Sequence, residues 1–120
     1  MTISHTKTAA FSIGLLMLAA ATPAFGHAHL SKSTPASGAT VTPPNEVQLT
    51  FTEPLEPAFS AIELRDAAGQ AVKTEKTQVK DNVMRLPLKA LPAGRYTVNW
   101  HVLSVDTHKT EGNFSFTVKP

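Results

Sequence analysis

From Leu30 to Val118 the chain places apolar side chains at alternate positions in short runs, the period of strands with one buried face. Val47, Leu49 and Phe51 alternate with Gln48 and Thr50, and Ile62 and Leu64 with Glu63 and Arg65. Tyr96, Val98, Trp100 and Val102 fall on one face of a long strand, and Phe114, Phe116 and Val118 on one face of the last. Shorter strands are expected at Leu30 to Ser33, Val72 to Lys76 and Val83 to Leu88. Turn-forming residues separate the runs: Ser37-Gly38, Pro43 to Asn45, Asp66 to Gly69, Lys80 to Asn82 and Pro92 to Gly94. About seven short strands at this spacing predict an all-β domain, an antiparallel Greek-key sandwich or barrel. Tyr96, opening a long strand after a Pro/Gly turn, has the placement of a tyrosine corner, and Trp100 is expected to fill space between the sheets.

The first 26 residues do not share this pattern. Lys7, an apolar run from Ala9 to Ala21, Pro23 and the small residues around Phe25 have the layout of a cleaved secretory signal, and the run is short for a membrane span. The expected organisation is therefore a signal peptide over 1–26 and one soluble domain over 27–120, exported to the periplasm. Cleavage after Gly26 makes His27 the first residue of the mature chain.

Composition narrows the chemistry. The formal net charge of +2 argues against nucleic acid or an anionic membrane as the main partner. The absence of cysteine excludes disulfides and thiolate metal sites. Met84 is the single methionine beyond the leader and has apolar neighbours, so it is expected to be core filler, not a thioether ligand. A bound metal must be held by nitrogen and oxygen.

Four histidines follow the expected cleavage point: His27, His29, His101 and His108. An N-terminal histidine offers two nitrogens from one residue, its α-amine and its ring. The amine's ordinary pKa near 7.7–8.0 lets a metal displace the proton at neutral pH. Amine and imidazole form half of a square plane, the arrangement copper(II) favours. Asp106 and His108 stand at i, i+2; in an extended stretch both would project from one face and reach a common ion. Without the N-terminal histidine, such a pair is more often a hydrogen-bonded loop couple.

Four blocks in order, His27 to Leu30, Ser33 to Ala36, Leu49 to Pro57, and Gly94 to Lys109 followed by Gly112, resemble the CopC family of periplasmic copper-binding proteins. The resemblance implies an Ig-like or cupredoxin-like Greek-key β-barrel and a copper(II) site on His27, Asp106 and His108. It also implies cooperation with a CopD-like inner-membrane copper transporter in copper resistance or uptake. Some members hold a separate copper(I) site in a methionine-rich loop, which this sequence lacks. His29 could add a ligand, a hydrogen-bond donor or a capture group for incoming copper. Glu53 could orient a ligating imidazole or be an ordinary loop carboxylate. His101, opposite the Tyr96 face, is expected at the surface.

A copper carrier or buffer is thus the leading expectation, with no catalytic residues. One alternative is a copper monooxygenase built on an N-terminal histidine brace. It needs an open coordination position where Asp106 would bind, and a sugar-stacking aromatic surface that is not evident. The other is a sandwich interaction module whose histidines are incidental.

Overall fold

A computed structural model describes residues 28–120; the expected signal segment and His27 lie outside the described residues. The alternating runs become strands in chain order: β1 Leu30–Thr34, β2 Thr40–Val41, β3 Glu46–Phe51, β4 Ala61–Arg65, β5 Gln78–Lys80, β6 Val83–Pro87, β7 Gly94–Leu103 and β8 Lys109–Val118. They form two four-stranded sheets, ordered β1-β3-β6-β5 and β2-β8-β7-β4. Every pairing is antiparallel except that of β2 with β8. The all-β sandwich expected from the alternation is the observed fold.

The core between the sheets is made by the inward members of each alternation. Val47, Leu49 and Phe51 of β3, Leu64 of β4, Met84 and Leu86 of β6, Val98 and Val102 of β7, and Phe116 and Val118 of β8 are all at most 2% exposed. Met84 lies opposite Leu49 on one side and Val79 on the other, so it is a core side chain. Tyr96 forms the expected corner: its hydroxyl donates to the Pro92 carbonyl at 2.7 Å. Trp100 spans the sheets at one end, edge-on to Phe51 with ring centroids 5.0 Å apart, but stays only partly buried.

Two details depart from the sequence pattern. The two-residue β2 was not expected, being too short to show a period. The expected strand over Val72 to Lys76 does not form; β5 forms just beyond it. Residues 71–77 run along the edge of β4 without a regular ladder. Val72 donates to the Leu64 carbonyl at 2.8 Å, and the Thr77 hydroxyl accepts from Ile62 N–H at 3.0 Å. The segment then crosses to the other sheet, where a left-handed Asp81 (φ 53°) tightens the turn between β5 and β6. A crossing segment shows the same partial apolar alternation as a strand, because it too covers the core on one side.

Candidate metal centre

The β7–β8 hairpin carries Asp106 and His108 at its closed end. The two strands pair over ten positions, from Gly94 opposite Val118 to Leu103 opposite Lys109. The connection between them is a turn, not the extended stretch that would have projected both side chains from one face. Thr107 has φ +75°, and its N–H donates to the Ser104 carbonyl at 2.9 Å. The two side chains nevertheless converge, with His108 Nδ1 3.3 Å from Asp106 Oδ1.

Ser104 accounts for that convergence. It is the next inward position after Tyr96, Val98, Trp100 and Val102, and it is fully buried. Its hydroxyl donates to the Asp106 carboxylate and accepts from the His108 N–H at 3.2 Å. Its own N–H donates to the His108 carbonyl at 2.9 Å. One buried hydroxyl thus fixes both residues. Ser104 was not among the candidates from sequence, although the two-residue period that set the inner face of β7 leads directly to it.

The Ser104 hydroxyl, first, and then the His108 hydrogen bond and charge hold the Asp106 carboxyl below the usual carboxylate range. Asp106 is therefore an anion across the neutral range. The side chains of Asp106 and His108 are 36% and 37% exposed, open enough to meet an ion from solvent.

Two more segments meet this turn. The loop after β3 runs beside it: Val105 N–H donates to the Pro54 carbonyl at 3.1 Å, and Glu56 N–H to the Leu103 carbonyl at 2.8 Å. Glu53 is half-buried in that loop, next to Thr52. The start of the described chain lies against the same end. Ala28 is fully buried, and its carbonyl accepts from the Thr110 hydroxyl at 2.9 Å. His29 is exposed, and Thr52 holds its backbone twice: His29 N–H donates to Thr52 Oγ1 and the His29 carbonyl accepts from Thr52 N–H, each at 2.9 Å. Neither Thr52 nor Thr110 was a candidate from sequence; only the fold reveals tethers between positions so far apart in the chain.

His101, three positions before Ser104, is exposed on the outer face of its sheet between Ala61 and Glu111, the face opposite that of Ser104. His27, the expected N-terminal chelate, lies outside the described residues. Among the described residues no group of three or more histidine, aspartate or glutamate side chains is arranged to hold a metal. The described part of the site is a pair, one carboxylate oxygen and one imidazole nitrogen on a braced turn, with the chain's N-terminal segment fastened beside it.

Comparison with known proteins identifies the same span. The family profile described as CopC domain matches residues 30–119. Protein YobA of Escherichia coli K12 is 34% identical over 97% of this chain and 98% of its own length. Copper resistance protein C of Xanthomonas campestris pv. juglandis is 36% identical over 83% of this chain and 86% of its own. Among solved structures, CopC from Methylosinus trichosporium OB3b superposes with a TM-score of 0.74 at 34% identity, covering 78% of this chain and 95% of that one. PcoC, a methionine-rich copper resistance protein from Escherichia coli, superposes at 0.69 and 34% identity, covering 78% of this chain and 100% of its own.

Proposed function

The chain belongs to the CopC family, and from that premise we propose that it is a periplasmic carrier or buffer for one copper(II) ion. The ligands are the α-amine and imidazole of His27, freed by cleavage after Gly26, with the Asp106 carboxylate and the His108 imidazole. Three nitrogens and an oxygen make the tetragonal set that copper(II) favours. The observation that carries this reading is the meeting of two chain segments. Ser104 braces Asp106 beside His108, and Thr110, two residues beyond His108, holds the carbonyl of Ala28. Ala28, the residue after His27 in the chain, is thereby fastened to the strand that leads out of the braced turn.

Supporting places fall to His29 and Glu53. Thr52 fixes the His29 backbone next to Ala28, which puts the residue in the segment that would receive incoming copper or assist a ligand. Glu53, in the loop beside the turn, would be the carboxylate that orients a ligating ring. Met84 is buried between Leu49 and Val79, which favours a single copper(II) site without a thioether copper(I) site. Storage and transfer fit the arrangement better than oxygen chemistry. Asp106 fills a coordination position that such chemistry needs open, Tyr96 is buried, and Trp100 is packed against Phe51. Among the described residues no helix is long and apolar enough to cross a membrane. The acceptor in this reading is a CopD-like transporter of the inner membrane.

The test is copper(II) titration with electron paramagnetic resonance on two forms, one beginning at His27 and one with a single glycine added before it. The expected result is one equivalent bound with a tetragonal, nitrogen-rich spectrum in the first form and far weaker binding in the second. Equal binding by both forms would refute the amine as a ligand and, with it, this site.

A further inference from the structure

Thr110 joins parts of the chain that are 82 positions apart: its hydroxyl donates to the carbonyl of Ala28 at 2.9 Å. Ala28 is fully buried, so this acceptor is shielded from water and depends on protein donors. Thr110 also sits two residues past His108, near the start of β8, on the inward face it shares with Phe114. A single side chain thus ties the segment after His27 to the strand that leads out of the Asp106–His108 turn. Thr52 acts one residue later, on the backbone of His29, and so fixes the direction in which the segment leaves.

Resting on the copper(II) reading above, we propose that Thr110 is a positioning residue for metal binding, holding Ala28 so that His27 is delivered to Asp106 and His108. A flexible end residue would have to be ordered as the ion binds, and that cost would weaken affinity. A segment already fastened at Ala28 has its backbone fixed up to the residue next to the ligand, which lowers that cost. The threonine acts through the chain end and touches no metal.

The test is a coupling experiment with copper(II) alone as the probe. Thr110→Val keeps the shape and removes the hydroxyl; Thr110→Ser restores it; Thr110→Ala removes it without adding bulk. In the form beginning at His27, Thr110→Val and Thr110→Ala should raise Kd about three- to tenfold, as expected for one lost hydrogen bond, and Thr110→Ser should stay within about twofold. In the form extended by one glycine, where the amine chelate is already lost, Thr110→Val should cause no further loss. A purely structural threonine would weaken both forms alike, and that result overturns the proposal. So does a Thr110→Val protein that binds within about twofold of the parent. If the parent binds copper equally with and without the added glycine, the copper reading fails first and the positioning role falls with it.

Discussion

Replacing Gly112 by alanine is expected to be among the most damaging small changes in this fold. Gly112 pairs with Trp100 across the β7–β8 ladder. A Cβ at Gly112 would stand 2.5 Å from Trp100 Cζ2, 2.8 Å from Cε2 and 3.2 Å from Nε1. Carbon atoms in contact rest about 3.5–4.0 Å apart, so the overlap is on the order of 1 Å against a rigid ring. The indole has no room to move inward, because it abuts Phe51, which is 1% exposed. It must swing outward and give up the edge-on contact. Overpacking of this kind costs about 1–3 kcal/mol, and losing the aromatic contact adds about 0.5–1.5 kcal/mol. Gly112→Ala should therefore lose about 2–4 kcal/mol, a fall in Tm on the order of 10–20 °C for a domain of this size. Urea unfolding followed by circular dichroism measures the loss. Trp100, the single tryptophan of the chain, reports the displacement as a red shift in emission. An unshifted midpoint together with unshifted emission would refute the argument that the indole is wedged over this glycine.

Ser104→Ala should fold but raise the copper(II) Kd about tenfold or more, as the loss of a hydrogen-bonding partner behind a ligand does, and should alter the paramagnetic resonance spectrum; unchanged affinity and spectrum would show that the turn orients Asp106 unaided. Burial, first, and the nearby charge of Asp66 push the Tyr96 phenol above its ordinary value near 10. The fold favours the neutral phenol, so this contribution is complete below pH 10 and is lost as the pH rises through the folded-state value. Absorbance titration of this single tyrosine should show ionisation above pH 10 in the native protein and a return toward 10 in denaturant; the same midpoint in both would contradict the buried corner.

Sequence made the sheets legible because burial on one face imposes a period of two. Val47, Leu49 and Phe51, and Tyr96 through Val102, carried that period clearly enough to place β3 and β7. It could not separate a strand from the crossing at 71–77, where side chains cover the core but Thr77 and Val72 bond singly to β4 instead of in a ladder. Asp106 and His108 were legible as a pair by residue type, but the geometry that joins them was not. A left-handed Thr107 and a buried serine bring them together, where an extended backbone had been expected. The tethers from Thr52 and Thr110 to residues 28 and 29 depend on segments that meet only after folding.

In the proposed copper site, the ten-position ladder between β7 and β8 would also set an order of events for a metal held at its tip. Asp106 and His108 ride on a stem anchored along its whole length in the core, so they move with the body of the protein. The N-terminal side of the site is moored by a few bonds at Ala28 and His29. In that site, an acceptor that takes the ion by exchanging ligands one at a time would meet two unlike sides, one held by a continuous ladder and the other by single hydrogen bonds. Transfer would then start at the chain end, with the hairpin tip keeping the ion oriented until the last bond is exchanged.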